Sequence, residues 1–200
     1  KKSSKQSRVA ASAKHIHAAL EPSNLLDKHA WLFKGTWIEE SADELEDLDN
    51  FDYEEREARI RKQRADALKE IHGQYGVAGL LDTAIRSGAS GIIGALVAER
   101  VLDEEDLLAL VTQAFQKRSE SESAARASEW LIQGALGVMP NDQKREAFLS
   151  SAITAIGPDN AARFLALAPY GEGTWSLVSS YGEEVATRYW KEVVPGWMRD

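Results

Sequence analysis

The chain has 200 residues, 44% of them hydrophobic, which is apolar material for one large domain or two small ones. Its formal net charge of −8 gives an acidic surface that repels phosphate backbones, so nucleic acid is not an expected partner. It has no cysteine, which removes disulfides, thiolate nucleophiles and Cys-ligated zinc, and no apolar run reaches the length of a membrane span.

Residues 1–8 are polar and read as a disordered tail. From Val9 to Leu20, the residues Val9, Ala10, Ala13, Ile16, Ala19 and Leu20 fall on one helix face. Pro22 stops that helix, because the residue before a proline avoids helical backbone. Leu25 to Ile38 is dense in large apolar residues around Gly35-Thr36 and predicts a hook whose Trp31 and Trp37 are buried as anchors. From Glu39 to Glu57 there are eleven carboxylates opposed only by Arg56, so self-repulsion predicts an exposed loop over residues 39–52.

Tyr53 to His72 reads as one long helix with Tyr53, Ile60, Ala67, Leu68 and Ile71 on its apolar face and Gly73 as its C-cap. Its basic residues, Arg56 to Lys69, are interleaved with acids and read as a solvated face. Val77 to Ile85 carries a full i, i+3, i+4, i+7, i+8 stripe. A turn at residues 87–90 follows, with Ser90 as the expected N-cap of a buried helix over Ile92 to Val101. Gly88, Gly91 and Gly94 stand every third residue and predict a tight turn and a close helix contact. Asp103 is placed to cap a helix ending near Gln116. Ala124 to Val138 is the next, with Trp130, Leu131 and Leu136 inward. Pro140 breaks it, and Asn141 or Asp142 caps a helix to about Ile156. Ala161 to Ala168, Thr174 to Ser180 and Glu183 to Val194 complete the string. In the last of these Val185, Tyr189, Trp190 and Val193 point inward, although Tyr189 and Trp190 are adjacent and one of them must face away.

The chain therefore divides into a tail at 1–8, an N-terminal helical arm with an acidic loop at 9–52, and a helical-repeat-like domain at 53–200. Leu80 to Ala84 and Phe164 to Ala168 match as short helices, each followed by a Gly-containing turn and a second apolar helix. Their offset of 84 residues is twice a 42-residue unit. In that period and pattern the stretch 63–194 resembles HEAT and armadillo α-solenoid segments. The resemblance implies a binding or scaffold segment inside a larger protein. The expected fold is all-α: an irregular solenoid-like array or an orthogonal helical bundle of about nine helices.

The sequence gives no positive sign of catalysis. Asp47-Leu48-Asp49-Asn50-Phe51-Asp52 begins like a calcium loop, but Phe51, Asp52 and Ala58 occupy ligand and glycine positions that such a loop requires. His15 and His17 point to opposite sides of a helix, and no H-E-x-x-H occurs with them or with His29 and His72. No phosphate-cradling glycine motif and no G-x-S-x-G is present. No catalytic residue, metal ligand or cofactor is expected.

The reading that follows is a non-catalytic protein-interaction or structural segment in a cytoplasmic setting. Its partner is a protein or adjacent domains of the same polypeptide, with no nucleic acid and no membrane. Asp43, Glu44, Glu46, Asp47, Asp49 and Asp52 would form a charged docking element. Trp197, after Pro195-Gly196, would serve either as a partner contact or as a severed contact with a following segment. Lys1, in place of an initiator Met, fits a section of something longer. A regulatory helical domain attached to a catalytic module such as an NTPase is the alternative, and an enzyme with a site not readable in the sequence is the second.

Overall fold

A computed structural model describes residues 22–36, 38, 52–139 and 142–193. Among the described residues there are nine α-helices and no strand. They are α1 (Leu25–His29), α2 (Tyr53–Arg86), α3 (Ser90–Arg100), α4 (Glu104–Lys117), α5 (Glu122–Gly137), α6 (Asp142–Ile156), α7 (Ala161–Leu165), α8 (Glu172–Ser180) and α9 (Glu183–Glu192). Short 3-10 turns, Ala30–Phe33 and Pro158–Asn160, follow α1 and precede α7. One hydrophobic core runs through the whole, from Leu32 and Phe33 to Val178 and Tyr189. No helix among the described residues is long and apolar enough to cross a membrane.

Short polar side chains set several of the helix starts by accepting hydrogen bonds from first-turn amides. Asn24 accepts from the Leu26 amide at 2.8 Å, and Asp52 accepts from the amides of Glu54 and Glu55 at 2.9 and 3.0 Å. Asp103 caps α4 through the Asp106 amide at 2.9 Å, as its position in the sequence predicts, and Ser121 caps α5 through Ala124 at 3.1 Å. Ser90 does not cap. It is the first residue of α3, and its hydroxyl donates to the Ala84 carbonyl at 2.9 Å, tying α3 back to the end of α2.

Two predicted helices, Tyr53 to His72 and Val77 to Ile85, are one kinked rod. The helix passes straight through Gly73 and breaks at Gly76, where φ is 62° and ψ is −159°. That backbone is costly for any residue with a Cβ, so the kink is located by Gly76 and not by the C-cap expected at Gly73.

Helices α3 and α5 approach each other closely. A Cβ placed on Gly94 would lie 2.0 Å from the Leu131 carbonyl oxygen, and one on Gly134 would lie 2.1 Å from the Gly91 oxygen. Only hydrogen fits at either position, so the two backbones touch directly. The glycine spacing in α3 predicts this contact. Its partner, Gly134, lies some forty residues away and has no local signature. Around this seam α2 and α4 complete a first group of helices, and α6 joins α4 to a second group of α7, α8 and α9. Phe115 of α4 meets Phe164 of α7 edge-on, with centroids 5.6 Å apart, where the two groups join.

Several large side chains face the other way from the expectation. Trp31 is 56% exposed, and Leu32 and Phe33 fill the core in its place; Trp37 lies outside the described residues. Trp130 is 55% exposed while Leu131 and Ile132 are buried, and Trp190 is half-exposed beside a fully buried Tyr189. A helix turns about 100° per residue, so where one wall of core covers a helix, one of two adjacent large side chains turns toward solvent. Tyr53, placed on the apolar face, is exposed as well. The Phe164 to Ala168 half of the internal echo leaves the helix after Leu165, whereas Leu80 to Ala84 lies wholly within α2.

Candidate functional site

The expected solvent face of α2 is in part an inward one. Tyr53, Arg56, Glu57, Ile60, Arg61 and Arg64 form a single stripe along α2 and line a groove of about 400 Å³. Ile92, Ala95 and Leu96 of α3 form the facing wall, and Thr36 and Ile38 of the N-terminal arm close one side. The stripe then continues inward as Ala67, Leu68 and Ile71.

Arg56 and Arg64 are buried. Arg64 donates through Nε to the Leu32 carbonyl at 2.9 Å and through Nη2 to Gly35 and Thr36 at 2.9 and 3.2 Å. Arg56 donates to the Ile38 carbonyl at 2.8 Å. At the end of its 3-10 turn and beyond it, the arm presents carbonyls to which the guanidinium forks donate. Burial holds the Arg64 guanidinium below the usual arginine value. Arg61 differs: it is partly exposed and pairs with Glu99 at the end of α3. The signal for this arrangement was in the register. Positions 53, 56, 57, 60, 61 and 64 share the spacing of the apolar stripe that follows them, but charge there reads as surface.

A second surface lies around the α2–α3 turn. Gly88 donates its amide to the Phe33 carbonyl at 3.0 Å, and a Cβ on Gly88 would lie 2.5 Å from the Lys34 oxygen, so the arm docks flush on the turn. On one side of Ser87 and Gly88 is a hollow of about 270 Å³ lined by Leu26, Trp31, Phe33, Lys34 and Arg86 among others. On the other side is one of about 230 Å³ lined by Ile85, Ser123, Arg126, Ala127 and Trp130 among others. The two hollows share Ser87 and Gly88, and each has a half-exposed tryptophan on its wall.

The residues expected to dock a partner lie almost entirely elsewhere. Asp43, Glu44, Glu46, Asp47, Asp49 and Trp197 are outside the described residues. Asp52 is described, and its carboxylate is engaged as the cap of α2. Among the histidines, His29 Nε2 lies 2.5 Å from a Glu70 oxygen and His72 Nε2 lies 3.3 Å from an Asp106 oxygen. Each meets one carboxylate across a helix junction, and no group of three metal-ligating side chains occurs among the described residues. His15 and His17 lie outside them.

At the far end of the fold, Tyr170, Trp175, Tyr189 and Trp190 cluster. Tyr170 meets Trp175 edge-on at 4.8 Å, and Trp190 lies 6.1 Å from Trp175 and 5.0 Å from Tyr189. The Trp175 Nε1 and the Tyr189 hydroxyl are both buried, and neither completes a hydrogen bond of good geometry. Burial pushes the Tyr189 phenol above its ordinary value, an effect that the Trp175 indole N–H partly opposes.

No protein-family model matches the chain, and no curated protein or solved structure matches it. The reading of function therefore rests on the surfaces themselves.

Proposed function

We propose that this chain is a non-catalytic protein-interaction or structural segment of a larger protein, a solenoid-like helical string in a cytoplasmic setting. The observation that carries the reading is the pair of half-exposed tryptophans, Trp31 and Trp130, on the walls of two hollows that meet at Ser87 and Gly88. Tryptophan and arginine are the residues most enriched among interface hot spots, because one large rigid side chain buries much area at small entropic cost. Arg86 and Arg126 stand at the same hollows, each held by a carboxylate one turn earlier on its own helix, Asp82 and Glu122. The rim is thus charged but locally balanced, and the apolar tryptophan faces are left as the adhesive part. A partner that fits presents an apolar side chain to each hollow across the turn. The acidic residues Asp43 to Asp49 are a second, charged element of the same proposal.

The test is a quantitative capture experiment from the chain's own source, followed by measurement with the purified candidate. Trp31→Ala with Trp130→Ala weakens a specific partner at least tenfold while leaving helical circular dichroism unchanged. Equal affinity of the double variant and the parent chain for every captured partner defeats the reading. Deleting residues 41–49 reports separately on the acidic element, which fails if capture and its salt dependence do not change.

A further inference from the structure

We propose that the groove between α2 and α3 binds a small aliphatic carboxylate, its chain against Ile60, Ile92 and Leu96 and its head beside Arg61 and Arg64. The groove is of the size at which small-molecule sites begin, about 300 Å³ and upward, at about 400 Å³. Its floor is aliphatic, and its polar groups converge from one helix stripe, the arrangement that fixes one end of an amphipathic ligand.

Charge selects the head group. Arg64 is buried, and its hydrogen bonds all go to neutral carbonyls, with no ion pair among the described residues. A buried cation facing only dipoles attracts an anion that enters the same groove. Arg61 has a half-open side chain, and Glu99 is its one ion-pair partner among the described residues, so part of its donor fork remains for a ligand. Glu57 on the groove wall and Glu99 beside Arg61 oppose a second negative charge, which favours a monoanionic carboxylate over a dianionic phosphate ester. The inference is independent of the tryptophan face, whose hollows share no lining residue with this groove.

The experiment titrates the full, ¹⁵N-labelled chain with octanoate, octanol and octylamine, following amide shifts and heats of binding. Octanoate is expected to saturate, with shifts centred on residues 56–64 and 92–96, and to bind at least tenfold more tightly than octanol. Octylamine is expected to bind most weakly. Lengthening from hexanoate to octanoate tightens binding by up to about fourfold per methylene, the fold-change that burial of one CH₂ supports. Arg61→Met removes the preference for octanoate over octanol, and Ala95→Phe, which fills the groove without touching a charge, abolishes binding of both. The proposal is overturned by equal affinity for octanoate and octanol, by unchanged octanoate binding of the Ala95→Phe variant, or by no saturable binding. Tighter binding of an acetyl-Leu-Leu-Glu peptide than of octanoate overturns it in favour of a polypeptide ligand.

Discussion

Two junctions in this molecule are built on contact with bare backbone, and they achieve it by opposite means. At the α3–α5 seam the side chains are absent: Gly94 and Gly134 let two helices touch with nothing between them. At the arm junction long side chains reach across, as Arg56 and Arg64 donate to the carbonyls of Leu32, Gly35, Thr36 and Ile38. The seam is a steric device and tolerates no added volume. The arginine contacts are a hydrogen-bonding device, dependent on the planar fork of donors. The first joins two long helices, and the second fixes the arm, whose Leu32 and Phe33 enter the same core.

The largest expected effect breaks the seam. Gly94→Ala puts a Cβ 2.0 Å from the Leu131 oxygen and 3.0 Å from the Ala135 nitrogen. These are backbone atoms within a helix and cannot move alone, so α3 and α5 must separate, at a cost of about 3 kcal/mol or more. Gly91→Ala is the control, since its Cβ meets the Trp130 oxygen at an ordinary 3.6 Å. It is expected to be neutral or to gain up to about 1 kcal/mol from helix propensity. Urea unfolding of the two variants decides the matter, and similar midpoints for both would remove the steric account of the seam.

Arg64→Lys tests the junction and ranks next. Lysine keeps the charge but offers a single point of donation, leaving carbonyls of the arm without donors, at a cost of about 2 kcal/mol. The loss is expected to be local. Amide hydrogen exchange should speed up in residues 25–36 while residues 90–100 and 122–137 keep their protection. An equal loss of protection in both regions would show that the arm opens only together with the helices it packs on.

Gly76→Ala addresses the link between the two junctions. The first part of α2 carries the arginines of the arm junction, and the part after Gly76 delivers the chain to the turn that opens α3. Alanine at φ 62°, ψ −159°, a backbone region essentially confined to glycine, costs about 2 kcal/mol, with no clash against other parts of the fold, since none lies within 4 Å of the added Cβ. A thermal shift of a few degrees is expected, with both junctions affected equally. A shift as large as that of Gly94→Ala would mean that the kink is under further constraint.

The legibility of these features follows their range. The helices are marked by local spacing, and the caps at Asp103 and the break near Pro140 are written in neighbouring residues. The close contact at Gly91 and Gly94 is legible on one side only, because Gly134 carries no local mark of its partner. Trp130-Leu131 and Trp31-Leu32 each place two large apolar residues side by side. The helix buries one of each pair, and in both it buries the smaller, which only the shape of the opposing surface decides. The arginine stripe fails for a different reason. Burial of Arg56 and Arg64 depends on carbonyls supplied by the arm, 18 and 32 residues away, and charge alone argues for solvent. Of the proposed docking carboxylates, the structure describes Asp52 alone, as a cap; the tryptophan face came from misplaced core residues.

The smallest effect, and the only stabilising one beyond the Gly91 control, lies outside both junctions and calibrates them. At Tyr189 a fully buried hydroxyl has neither the steric exclusion of the seam nor the donor–acceptor match of the arm. Tyr189→Phe removes an unsatisfied polar atom while keeping the ring against Trp190, so a gain of up to about 1 kcal/mol is expected. The sign of the pH dependence follows from the raised phenol. In the unfolded chain tyrosine ionises near pH 10, whereas in the fold burial holds the neutral form to higher pH. The native state is therefore at no disadvantage below about pH 10 and loses stability as the pH rises from there toward the raised folded value. The phenylalanine variant lacks this contribution, so its advantage over the parent chain widens between pH 8 and pH 10.5. Urea midpoints at the two pH values measure it. A constant difference would mean that the Trp175 indole N–H satisfies the phenol oxygen in solution, and that this corner of the fold, like the arm junction, is held by a matched donor.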